Sequence, residues 1–222
     1  MNMEEIRVME KPDWVSWDDI RDVLSKAHQK NIKKGIVMNT TTMTGEEIRN
    51  YLGEDGRCFV AFSGDKLVGT TSVRIAKGSR WYDRGKIVAK GAMSAILQQY
   101  QGMGLLEEMN VLRDKFVAEK KVELLEGDTP EENMLLRKIV SKKGFKEVRF
   151  FPAQHQNHFS VYFVKWLGEC PFTDRYIRTR FIVSKVLTKM RYKPGRIERS
   201  RYITYFCNKL DWCISKILDK NI

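Results

Sequence analysis

The stretch Gln99-Tyr100-Gln101-Gly102-Met103-Gly104 carries the most specific chemistry in the chain. The residues before it, Gly85 to Leu97, contain no proline and only scattered charge, as a buried strand would. After it, Leu105, Leu106, Met109, Leu112, Phe116 and Val117 recur three or four apart, which predicts a helix starting where the glycines end. Two glycines let the backbone approach a ligand without a Cβ in the way, and the first helical turn leaves its N–H groups unpaired beside them. A strand, a glycine turn and a helix N-terminus together favour an anion, most often a phosphate.

The rest of the chain must position that loop. At 222 residues, with 42% apolar and 11% aromatic residues, it is long enough to bury a core and too apolar for disorder. The formal net charge of +12 calls for an acidic partner such as nucleic acid, an anionic membrane surface or a phosphorylated cosubstrate. Residues 171–222 hold 13 Lys+Arg against 4 Asp+Glu, so most of that charge lies in the tail. Cys58, Cys170, Cys207 and Cys213 form no CxxC pair and have no His at ligand spacing, so neither a disulfide framework nor a metal site is expected. Residues 1–11 alternate charged and apolar side chains without the apolar run of a signal peptide, and no stretch approaches the roughly 20 apolar residues of a membrane span. A soluble cytoplasmic protein is the expectation.

Trp17 to Lys34 reads as a helix capped by Ser16 and Asp19 and stopped by Gly35. Thr44 with Glu47 predicts a capping box for a second helix over 45–52. Cys58 to Phe62 and Leu67 to Ile75 form a hairpin about Ser63-Gly64-Asp65-Lys66. The strand feeding the glycine loop and the helix after it come next, followed by a strand over 121–126. Thr129-Pro130-Glu131-Glu132 has the pattern of a helix start, with Leu135, Leu136, Ile139 and Val140 facing inward and Gly144 ending the helix. Two strands, Phe145 to Phe151 and Phe159 to Leu167, close the order ααβββαβαββ.

This order, the loop and the closing Gly144-Phe145 resemble the GNAT superfamily of acyl-CoA-dependent N-acyltransferases over residues 5–167. The family pattern Q/R-x-x-G-x-G/A is matched by Gln99-x-x-Gly102-x-Gly104, and Asn133 matches an Asn on the following helix. The resemblance implies an α+β fold with a mostly antiparallel central sheet, and acetyl-CoA or another short acyl-CoA as cosubstrate, without a metal. It implies that the amides of Tyr100, Gln101, Gly102, Met103, Gly104 and Leu105 hold the pyrophosphate. Main-chain groups of Ala92, Met93 and Ser94 would pair with the pantetheine arm, which Asn133 would also reach.

Acyl transfer to an amine needs a base for the amine and a proton for the departing thiolate. The family Tyr that supplies that proton is replaced here by Val140. Glu126 and Asp128 are both candidates for the base, although Glu126 also reads as a solvated strand end and Asp128 as a turn former. His155 and His158 can relay a proton or be ordinary loop residues. Trp81 and Tyr82 can wall a substrate pocket or pack an edge, and Lys142 and Lys143 can meet a CoA phosphate or complement a helix dipole.

Beyond a domain over 1–168, residues 169–222 form a basic extension. Thr173 caps a helix with Tyr176, Ile177, Phe181, Ile182, Val186, Leu187 and Met190 on a broad apolar stripe. Pro194-Gly195 turns the chain into a second helix carrying Ile203, Phe206, Leu210, Ile214 and Leu218. A hairpin packed on the domain or on a second copy, and a module for anionic lipid, both fit. Nucleic acid is disfavoured by the absence of a recognisable motif. Two functions follow. One is an N-acetyltransferase acting on a primary amine, for which a small molecule such as an amino sugar is the expected acceptor. The other is a noncatalytic CoA-fold protein that binds an acidic partner through its tail.

Overall fold

The alternation Ile6-Arg7-Val8-Met9-Glu10 forms a strand, β1 (Ile6–Glu10), which is missing from the order expected above. It is short, and its period-two pattern is completed only by pairing with a distant partner. The computed structural model describes residues 5–33, 42–152 and 158–192. The chain divides into two units, Met1–Leu125 and Glu126–Ile222. The class is α+β, with helices flanking mostly antiparallel strands.

In the first unit, β1 is followed by α1 (Trp17–Ala27), α2 (Gln29–Lys33), α3 (Gly45–Leu52), β2 (Arg57–Ser63), β3 (Lys66–Lys77), β4 (Ile87–Ile96) and α4 (Leu105–Glu119). The strands lie in the order β1-β2-β3-β4, each antiparallel to the next, with Val8 opposite Ala61, Val60 opposite Thr70 and Val73 opposite Gly91. Both anticipated capping boxes form. Ser16 Oγ accepts from Asp19 N at 3.0 Å while Asp19 accepts from Ser16 N at 2.9 Å. Thr44 and Glu47 repeat the exchange at 2.7 and 3.2 Å. The helix expected from Trp17 to Lys34 instead breaks at His28, which caps α1 with its N–H on Leu24 O. The expected stop at Gly35 lies outside the described residues.

Strand β2 is buried on both faces, which follows from helices on each side of the sheet. Cys58, Val60 and Phe62 pack with Ile20, Leu24, Ile48 and Leu52 from α1 and α3. Phe59 and Ala61 point the other way, into a cluster with Val68, Val73, Leu105 and Met109. On α4, Leu105 and Met109 are buried as expected, whereas Leu106 is exposed.

In the second unit, β5 (Leu124–Pro130, its first two residues belonging to the first unit) precedes α5 (Met134–Lys142), β6 (Lys146–Pro152), β7 (Phe159–Trp166) and α6 (Asp174–Arg191), with strand order β5-β7-β6. The Thr129-Pro130-Glu131-Glu132 pattern does not begin a helix. Thr129 is buried in β5, and Glu131 N–H donates to Phe159 O, so strand pairing overrides the local capping signal. The helix starts four residues later, capped by Asn133. Consequently Leu135 and Ile139 are exposed rather than inward, and Leu136 and Val140 are half-buried. The helix end is as expected. Gly144 has φ +87°, its N–H meets Ser141 O, and Phe145 N–H meets Val140 O, the two bonds of a Schellman turn.

Helix α6 covers the β6 edge. Ser184 Oγ accepts from Phe150 N at 3.1 Å and donates to Phe150 O at 3.0 Å, and Thr188 Oγ1 donates to the same carbonyl at 3.0 Å. These hydroxyls satisfy edge-strand groups that would otherwise face water or another chain. The second tail helix expected beyond Pro194 lies outside the described residues.

Candidate active site

Strand β4 reaches the glycine loop through Leu97, whose N–H donates to Val68 O at 2.9 Å, and a single 3₁₀ turn over Gln98–Tyr100. Gln101 Nε2 donates to Ile96 O at 3.0 Å and holds the loop against the strand end. Gly102 and Gly104 take φ +83° and +79°, where L side chains are strained. A Cβ at either would meet no atom within 4 Å, so backbone conformation rather than space requires glycine there. Gly104 is the N-cap of α4, with Leu105 and Met109 anchoring the first turn in the core. The amides of Gly102, Met103, Gly104 and Leu105 find no acceptor among the described residues. Gly102, Met103 and Gly104 are exposed, and Lys66 Nζ lies 5.9 Å from the Tyr100 ring.

Glu107 and Glu108 occupy the same first turn and repel an anion. Both are exposed, and a charge across water contributes only about 1 kcal/mol at 4 Å. Each amide bond to a charged oxygen is worth about 1.5–3 kcal/mol. Several amides acting together with the helix dipole therefore outweigh the two carboxylates, and a diphosphate fits.

The sequence pointed to Ala92, Met93 and Ser94, and there β4 is irregular. Thr70 pairs with Ala95 and Ser72 with Ala92, so Thr71 alone faces Met93 and Ser94 in a bulge. Met93 is buried at φ +54°, and Ser94 Oγ lies 2.7 Å from Thr71 Oγ1. A bulge turns main-chain groups out of the ladder, where an extended ligand can use them. His28, which carried no signal in the sequence, packs toward this place. Burial pushes its imidazole below the ordinary 6.5, opposed by a backbone hydrogen bond with Ser94, so the ring is neutral near pH 7.

The second unit holds the residues named for proton transfer. Glu126 is 6% exposed, and its Oε2 accepts from Tyr162 OH at 2.6 Å. It is not the solvated strand end that its position also allowed. Asp128, two residues on, is exposed. Asn133 Oδ1 is taken by its own helix, accepting from Leu136 N at 3.2 Å, which leaves Nδ2 for any ligand. His158 lies below its ordinary 6.5 because of burial, with the charges of Glu132 and Asp128 opposing the shift. His155 lies outside the described residues.

Lys142 and Lys143 are exposed at the end of α5. In the first unit, Tyr82 is 1% exposed, stacks edge-on against Trp81 at 5.2 Å and accepts from Arg80 Nη1 at 2.8 Å. It is therefore core rather than pocket wall. Tyr162 was missed because it reads as one more aromatic in an apolar strand, and its partner is 36 residues away.

Neither a family model nor a curated protein matches the sequence. Solved structures do. A GNAT-family acetyltransferase of Staphylococcus aureus superposes on 74% of this chain and 100% of its own, with a TM-score of 0.55 and 14% identity. The ribosomal-protein-alanine N-acetyltransferase of Escherichia coli covers 76% of this chain and 100% of its own, at a TM-score of 0.53 and 13% identity. An acetyltransferase of Bacillus subtilis solved in complex with CoA covers 74% and 100%, at 0.50 and 15%. At such identities the likeness is one of fold, and the fold is that of the GNAT acetyltransferases.

Proposed function

We propose that this chain is an acyl-CoA-dependent N-acetyltransferase. The observation that carries this reading is the pair of left-handed glycines beside unpaired amides at the start of α4, which directly follows a bulged strand. The amides of Gly102, Met103, Gly104 and Leu105 bind the pyrophosphate, whereas those expected of Tyr100 and Gln101 are already spent on Leu97 O and Gln98 O, and the main chain of Ala92 to Ser94 pairs with the pantetheine arm. Acyl-CoA supplies the thioester-bound acyl group as substrate. Glu126 is the better-prepared base of the two acids: its carboxylate is buried and already oriented by Tyr162, whereas Asp128 faces water. The acceptor is a primary amine, and a small molecule such as an amino sugar is the class we favour.

Incubation with acetyl-CoA and a panel of amines, followed by free thiol release, tests the assignment. Amine-dependent thiol release is expected. CoA binding without turnover on any amine refutes it, and would favour the noncatalytic reading, for which Val140 at the position of the family's proton-donating Tyr is the specific support.

A further inference from the structure

Helix α6 uses two of its faces differently. Its inward face is fully engaged: Ile177 and Leu187 are buried, Ser184 and Thr188 bond Phe150, and Glu131 accepts from Lys185 at 2.7 Å and Lys189 at 3.2 Å. Burial pushes the Glu131 carboxyl upward, but these two ammonium groups more than offset it and hold it below its ordinary range. The outward face presents Arg175, Arg178, Ile182, Val186 and Met190, spaced three and four apart and all exposed, with the three apolar side chains 49–52% exposed. That apolar line runs about 12 Å along the helix. We infer that the outward face of α6 docks on an anionic membrane surface, with Ile182, Val186 and Met190 entering the headgroup boundary and Arg175 and Arg178 meeting the lipid phosphates.

The composition of the face selects this partner. Duplex phosphates would reward the arginines but offer nothing to three apolar side chains in the same line. A bilayer interface rewards both, through apolar burial and through attraction of roughly 1 kcal/mol per cation near an anionic leaflet. A second copy of the chain finds too little here, because three half-exposed side chains fall far short of the ~800 Å² per partner that a stable interface needs. Among the described residues no helix is long and apolar enough to cross a membrane, so the contact is superficial. The inference stands without the catalytic reading, since no group of the acyl-transfer site enters it.

Co-sedimentation of the full chain with vesicles of phosphatidylcholine alone, and with added phosphatidylserine, tests it. Partitioning about tenfold or more in favour of the anionic vesicles is expected, weakening with added salt. The double variant Ile182→Ser/Val186→Ser keeps every charge and should lose about tenfold of that partitioning. Ile182→Glu/Val186→Glu should lose more, and melting curves of both establish that they fold. Failure of the wild-type chain to bind anionic vesicles overturns the inference. So does binding that neither variant weakens. A variant that melts several degrees lower, or changes from dimer to monomer, with unchanged vesicle binding would show that the chain itself or a second copy covers this face.

Discussion

Replacing Gly104 by alanine isolates what the loop contributes. At φ +79° an L residue is disfavoured by about 1–2 kcal/mol, and a Cβ there touches nothing within 4 Å, so backbone strain is the whole direct effect. If the loop relaxes in the free protein, the strain returns when the ligand reimposes the conformation. The Kd for CoA then rises about 5- to 30-fold, since each 1.4 kcal/mol is a factor of ten. If the loop cannot relax, the cost appears in stability as a melting temperature lower by about 2–8 °C. Calorimetric titration of CoA, paired with thermal melts, apportions the two. Asparagine tolerates the left-handed region, so Gly104→Asn should lose less affinity than Gly104→Ala. Undiminished CoA binding by an alanine variant that also melts at the wild-type temperature would refute the role of the loop, and a loss for Asn larger than that for Ala would show that side-chain bulk, not φ, is the constraint.

Three further expectations concern the groups that hold or move protons. Glu126→Gln should lower kcat about 10²- to 10⁴-fold with CoA affinity little changed, read by thiol release and calorimetry. Tyr162→Phe removes the donor at 2.6 Å from a buried carboxylate and should cost about 1–3 kcal/mol, seen as a lower denaturant midpoint. The imidazoles of His28 and His158 both lie below 6.5 through burial, so the unfolded chain takes up protons more readily. Their contribution to stability is therefore complete above pH 6.5 and is lost as pH falls from there through the folded values. Thermal melts across about pH 5 to 8 should show the decline, and His28→Gln with His158→Gln should flatten it.

Signals that act within one turn were legible in the sequence. The Ser16–Asp19 and Thr44–Glu47 boxes, the Gly144 stop and the glycine loop each depend on residues three to five apart, and each forms where expected. The same locality misled at Thr129-Pro130, where a capping pattern lies inside a strand. Pairing of Glu131 with Phe159 decides that segment, and a window of a few residues cannot contain both. Strand β1 escaped for a related reason, since five residues, of which Ile6, Val8 and Met9 are half-buried and Arg7 and Glu10 exposed, become a strand only against β2.

At the candidate site the division is similar. The order of types around Gly102 and Gly104 was enough to predict two glycines at a helix N-terminus, because helix starts and left-handed glycines are local properties. Only the tertiary structure placed a bulge opposite Thr71, brought the Tyr162 hydroxyl to Glu126 and turned Tyr82 into the core. It also decided which side of α6 faces outward. The stripe from Tyr176 to Met190 is one apolar band in the sequence. Phe150, 34 residues before Ser184, draws one edge of the helix onto β6, and Ile182, Val186 and Met190 remain in solvent. Contacts across such separations depend on which surfaces meet when the chain folds, and no spacing within the sequence encodes that.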